Sequence, residues 1–130
     1  MIRINPQYPQ EYYEFFISFN EGDYYTCHDL LEEIWLGDRS NLFIKGLLQM
    51  SVALYHYEYG NLKGARMMMT VAQTYLESYR PVYWGLDLEK IHYYIKRCLS
   101  IIPQHLDRIP FEEMKTAPAL PKLVLLLEDD

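Results

Sequence analysis

Apolar positions recur at helical intervals in five separate segments of this chain. In the first, Tyr12, Phe15, Phe16 and Phe19 fall at i, i+3, i+4 and i+7, the stripe of one helix face. Asn20-Glu21-Gly22 breaks it. The second segment offers Asp23 as its N-cap and Tyr24, Cys27, His28, Leu31 and Trp35 as its inward stripe, with Gly37 where a C-cap glycine belongs. The third starts near Ser40 or Asn41 and is apolar on nearly every side, which predicts a helix buried among others, ended by Gly60. The fourth begins at Asn61 and places Ala65, Met68, Met69, Ala72, Tyr75, Leu76 and Tyr79 on one face. Pro81 stops it, because the residue before a proline disfavours the α region. The fifth has Asp87 as its cap and carries Leu88, Ile91, Ile95, Leu99 and Ile102 ahead of Pro103.

The connections are short, so successive helices should pack antiparallel. One feature repeats at the turns. Phe19 to Asp23 and Tyr57 to Asn61 each run from an aromatic helix end through a glycine to an Asp or Asn cap, with a small residue, Cys27 or Ala65, one turn later. Gly22 and Gly60 permit the tight turn, Asp23 and Asn61 cap the next helix, Gly64 stands with them among the turn residues, and the small residue Cys27 or Ala65 lets two helices approach. The pattern is that of a TPR-like helix hairpin, without the repeat period of a tetratricopeptide array. The fold class predicted is therefore all-α: about five helices in antiparallel hairpins over residues 1–102. A proline-punctuated, extended tail over residues 103–130 lies on the bundle or on a second subunit, or else frays.

Bulk properties narrow the picture. A chain of 130 residues that is half hydrophobic can bury a core without disulfides or metals. Cys27 and Cys98 stand far apart and read as reduced, buried thiols. The net charge is −6 with no Lys/Arg cluster, which disfavours nucleic acid as a partner. No apolar run reaches membrane-spanning length, and Met1 to Pro6 lacks a signal-peptide core, so the expected location is cytoplasmic.

The string Phe19-Asn20-x-Gly22-x-Tyr24, then His28-Asp29-x-Leu31-Glu32-x-x-Trp35, resembles the first block of the DUF309 family. Gly46-Leu47-Leu48-Gln49, Ala53-Leu54-Tyr55-His56 and Gly60-Asn61-x-x-Gly64-Ala65 resemble its second. Asp29 stands where the family more often has Glu. The resemblance implies a small all-helical domain and no mechanism.

Chemistry could sit at polar residues on core-facing positions. His28 and Glu32 share a helix face, as do Gln49 and His56 on the third helix. Antiparallel packing brings Glu32 toward Gln49 and His28 toward His56. The leading expectation is a buried hydrogen-bond network in a protein-interaction or scaffold module, with a protein partner or a second copy as a homodimer. Orphaning a buried partner costs roughly 1–3 kcal/mol, so His28→Ala or Glu32→Ala would then destabilise the fold. The alternative is a small metal-dependent or acid–base enzyme centred on His28, Glu32 and His56, with Asp29, Glu33 or Glu58 as spare carboxylates. No cofactor is expected beyond a possible divalent metal. No nucleophile elbow, phosphate loop or paired-histidine zinc motif occurs, so the balance leans away from an enzyme. Met67-Met68-Met69 reads as helix packing, and Trp84 as a loop residue capping the end of the bundle or anchoring a partner.

Overall fold

The computed structural model describes residues 7–128. Met1 to Pro6 and the acidic end Asp129-Asp130 lie outside the described residues. The chain is predominantly helical, as its periodicity predicts: α1 (Gln10–Asn20), α2 (Tyr24–Gly37), α3 (Leu42–Glu58), α4 (Leu62–Leu76) and α5 (Leu88–Ile101). Four of these helices begin at a side-chain cap. Asp23 accepts from the Thr26 N–H, Asn41 from Ile44, Asn61 from Gly64, and Asp87 from Glu89 and Lys90.

Neighbouring helices run antiparallel. Early α3 meets late α4, where Gly46 lies against Tyr75 and Leu76; late α3 meets early α4, where His56 lies against Gly64. Across α2 and α3, Tyr25 touches Tyr55 at one end and Lys45 sits over Trp35 at the other. The core runs through Tyr12, Phe15, Phe16 and Phe19 of α1, Cys27, Leu31 and Ile34 of α2, and most of α3. It continues into Met69, Ala72 and Leu76 of α4 and Leu88, Ile91, Ile95 and Cys98 of α5. Both cysteines are buried free thiols. Met69 is buried, Met68 half-buried and Met67 exposed, so packing accounts for part of that run.

Two features differ from expectation between α4 and α5. The α-helix ends at Leu76 and tightens into a 3₁₀ turn over Glu77–Tyr79 rather than continuing to Tyr79. A small antiparallel hairpin then follows, β1 (Val82–Tyr83) with β2 (Leu86–Asp87). Its turn residues Trp84 and Gly85 both have positive φ, 48° and 67°. That is the conformation whose twist suits a two-residue hairpin loop. Trp84 is half-buried and packs on Tyr8, Tyr12 and Phe43 at 5.2, 5.2 and 5.7 Å between ring centroids. The Tyr12 hydroxyl donates to the Trp84 carbonyl at 2.8 Å, so the hairpin is riveted to α1.

The segment after α5 is bonded back onto the bundle along its length. Arg66 of α4 donates to the carbonyls of Pro103 and Leu106 at 2.6 and 2.7 Å and pairs with Asp107 at 3.0 Å. The Lys63 N–H donates to Asp107 and the Ile109 N–H to Gly60. The Tyr57 hydroxyl donates to the Pro118 carbonyl. Leu123 and Leu125 enter the core while Val124 and Leu126 stay exposed, the alternation of an extended strand. Asn20, the last residue of α1, holds Leu125 on both sides, its amide nitrogen donating to the carbonyl at 2.9 Å and its oxygen accepting the N–H at 2.7 Å. The Glu128 N–H reaches the Gly85 carbonyl at 2.7 Å.

The turn at Gly60 is where this returning segment presses closest. Gly60 has φ of +81°, and a Cβ there would stand 1.9 Å from the Ile109 carbonyl oxygen. Gly60→Ala therefore combines left-handed strain with a backbone clash. It should lower unfolding free energy by about 2 kcal/mol or more in urea titrations, with early proteolytic cleavage after Ile102. A stability within a few tenths of wild type would show that the 107–109 contact contributes little.

Candidate functional site

The helix α3 is covered on most of its circumference. Phe43, Ile44, Leu47, Leu48, Met50, Ser51, Ala53, Leu54 and Tyr57 are buried. One row is left partly open: Lys45, Gln49, Val52, Tyr55 and then Tyr59 just past the helix end. The matching row on α2 is Tyr25, His28, Glu32 and Trp35. The two rows face each other as rungs. Tyr25 and Tyr55 lie 5.8 Å apart between ring centroids, and His28 and Val52 line a shared hollow with them of about 160 Å³. The Lys45 ammonium stands 4.2 Å above the Trp35 ring, with the Arg39 guanidinium at 5.6 Å. Between these rungs sit half-buried Glu32 and Gln49, not hydrogen-bonded to each other.

The predicted buried network does not form. His28 and Glu32 keep 35% and 47% of their side chains exposed. Both imidazole nitrogens of His28 turn to carboxylates of its own helix, Nε2 to Glu32 at 3.0 Å and Nδ1 to Asp29 at 3.3 Å. His56 leaves the groove for the next turn, where the Asn61 amide donates to its Nδ1 at 3.1 Å while the Asn61 oxygen caps α4. The cause is the facing of α2. Its buried line is Cys27, Leu31 and Ile34, whereas the expected stripe counted His28 and Trp35 in place of Ile34. Each helical residue turns the face by about 100°, so that exchange moves His28 and Glu32 from the core to the groove rim. No three His, Cys, Asp or Glu side chains among the described residues converge in metal-binding geometry, and His28, Glu32 and His56 do not meet. The turn and cap residues Gly22, Asp23, Gly60 and Asn61 have the roles their types suggest; Gly64 packs against Asn61 and His56.

An aromatic strip extends the groove past the end of α3. Tyr55 contacts Tyr59 at 4.8 Å, and Tyr59 stacks on Phe111 at 5.1 Å with the planes 16° apart. Tyr25, Tyr59 and Phe111 are each at least half exposed. Beside the strip, partial burial and the charge of Asp23 push the Glu58 carboxyl above its ordinary range. Burial, helped by Glu58, pushes the Tyr24 hydroxyl up to about 12. At the other end the Trp35 indole N–H is buried without a hydrogen-bond partner among the described residues. Such an orphan donor costs roughly 1–3 kcal/mol. Tyr25 and Tyr59 were legible as aromatics off the apolar stripe, but Phe111 arrives from a distant segment that no periodicity announces. A second open cleft, about 580 Å³, lies between α4 and α5, lined by Arg66, Met67, Thr70, Val71, Leu99 and Gln104.

Two outcomes follow from this geometry. A half-exposed ion pair within one helix stabilises by only a few tenths of a kcal/mol. His28→Ala and Glu32→Ala should therefore shift unfolding free energy by less than about 0.5 kcal/mol; a loss of several times that would restore the buried-network reading. Burial, aided by the Arg108 charge, holds the His56 imidazole below its ordinary range. The unfolded chain then takes up that proton first, so stability contributed by neutral His56 should fall away as pH drops below about 6.5. Urea titrations across that window should show the fall in wild type and a shallower one in His56→Gln. Identical slopes would remove His56 as the source.

Comparison with known proteins returns two relatives described as uncharacterized. The chain is 27% identical over 127 residues to the uncharacterized protein YpuF of Bacillus subtilis (strain 168), covering 95% of this chain and 67% of that protein. It is 29% identical over 87 residues to an uncharacterized protein of Aquifex aeolicus (strain VF5), covering 64% of this chain but only 26% of that one. No solved structure gives a significant match. No helix among the described residues is long and apolar enough to cross a membrane. The family model for the domain of unknown function DUF309 matches residues 12–68, the span of α1, α2, α3 and the start of α4 that builds the groove. The resemblance read from Phe19 to Ala65 is thereby met by a family model that spans residues 12–68 of this chain.

Proposed function

We propose that the chain is a protein-docking module whose α2–α3 face receives its partner. The observation that carries this reading is the series of ring contacts Tyr25–Tyr55–Tyr59–Phe111, with three of the four rings at least half exposed. Contiguous exposed aromatic surface of this kind marks interaction sites more often than it serves the fold. Tyrosine is also enriched among the few residues that carry most of an interface's energy. The stack of Tyr59 on Phe111 fixes both rings in advance, so a partner loses little side-chain freedom on docking there. The hollow beside Tyr25, His28, Val52 and Tyr55 is large enough to admit one side chain from the partner.

A second copy of the chain counts as such a partner. Sedimentation across micromolar concentrations separates self-docking from a foreign protein. The test of the face itself is a photoreactive phenylalanine analogue placed at Tyr25, with exposed Tyr93 on α5 as the control position. Position 25 should yield a discrete protein adduct in cells and position 93 none. Once the partner is identified, Tyr25→Ala with Tyr59→Ala should weaken its binding roughly ten-fold or more at an unchanged melting temperature. Unchanged affinity, or adducts only from position 93, would overturn the assignment.

A further inference from the structure

The charges around the strip point to the chemistry of what docks there, on the reading that this face is a docking site. The fold offers its own comparison at the two ends of the same groove. Trp35 carries its cations within the chain, Lys45 and Arg39 over the indole. The rings of Tyr25, Tyr55, Tyr59 and Phe111 carry no cation of the chain among the described residues. The carboxylates beside them are unneutralised. Asp23 caps α2 two residues ahead of Tyr25, Glu58 ends α3 between Tyr55 and Tyr59, and Glu112 and Glu113 follow Phe111 directly in one 3₁₀ turn. None of these four acids makes an ion pair among the described residues. The chain as a whole has a net charge of −6, which adds to the attraction for a positive partner.

A guanidinium group satisfies both halves of this surface. It lies flat on an aromatic face through its delocalised charge and gives a carboxylate paired, parallel N–H donors. An ammonium group meets the carboxylate as a compact, strongly hydrated ion and stacks less well. We propose that the strip Tyr25–Tyr55–Tyr59–Phe111, with Asp23, Glu58, Glu112 and Glu113 beside it, binds an arginine-bearing segment of a protein partner. The side chains of that segment lie on the rings, and its guanidinium groups pair with the acids alongside.

The experiment titrates the intact chain with fluorescent peptides of equal length in which glycine alternates with arginine, lysine or glutamate, reading anisotropy at low and physiological salt. The arginine peptide should bind, the lysine peptide several-fold more weakly, and the glutamate peptide not at all. Tyr59→Ala with Phe111→Ala should weaken arginine-peptide binding roughly ten-fold, since stacked cations on exposed rings contribute in that range. Glu58→Gln, which leaves the rings in place, should weaken it several-fold. Tyr93→Ala on α5 should change nothing. No binding of the arginine peptide, or equal binding of the arginine and lysine peptides that the ring variants leave untouched, would overturn the proposal. The two readings fail separately. An adduct at position 25 whose contacting segment contains no arginine leaves the docking face standing and removes the arginine assignment. Failure of position 25 to capture any partner removes the docking face as well.

Discussion

A helix with almost no polar face must be covered almost everywhere, and α3 is that helix. Burying its apolar side chains is worth about 1.5–3 kcal/mol for each large one, and the rest of the molecule is arranged to do so. The helix α2 lies on one flank and α4 on the other, joined to α3 by turns of three or four residues. The helix α1 supplies the four aromatic residues that close the core. Tight approach needs small residues where helices meet: Gly46 lies against the side chains of Leu76 and Tyr75, which a Cβ there would displace. The hairpin and the returning segment then seal the ends. Arg66, Gly60 and Asn20 fasten that segment through backbone groups rather than by hydrophobic contact alone.

The groove is what this coverage leaves over. Neighbouring helices shield α3 except along the row from Lys45 to Tyr59, and α2 presents the row from Tyr25 to Trp35 across from it. A residual stripe between two helices would ordinarily be filled by long polar side chains that shield it from water. Here Lys45 does so over Trp35, but the other end is paved with tyrosines and capped by Phe111. The same packing that gives the fold its stability therefore sorts the groove into an end whose ring carries cations of the chain and an end whose rings carry none among the described residues.

How much of this was legible depended on the range of the interaction. Helix spacing and caps are local: the sequence alone points to Asp23, Asn61 and Asp87 as caps and narrows the third to Ser40 or Asn41, of which Asn41 makes the bond. Which way an amphipathic helix faces is less local. Taking Trp35 rather than Ile34 as inward turned α2 enough to bury His28 and Glu32 on paper. In the fold they are rim residues paired within their own helix. The Trp84–Gly85 turn was hidden because its first residue is a non-glycine with positive φ, held by ring contacts and by the Tyr12 hydroxyl, both from distant parts of the chain. Contacts such as Asn20 with Leu125, or Tyr59 with Phe111, join residues far apart in the chain and leave no periodic trace.

The central claim is that the open face of α2 and α3 is where this protein meets its partner. Amide hydrogen exchange on the chain alone and on its isolated complex tests that directly. Slowed exchange is expected only in residues 25–35, 45–59 and the 3₁₀ turn Phe111–Thr116, with the outer face of α5 unchanged. Protection that falls instead on the cleft between α4 and α5, leaving the aromatic strip as it was, would contradict it.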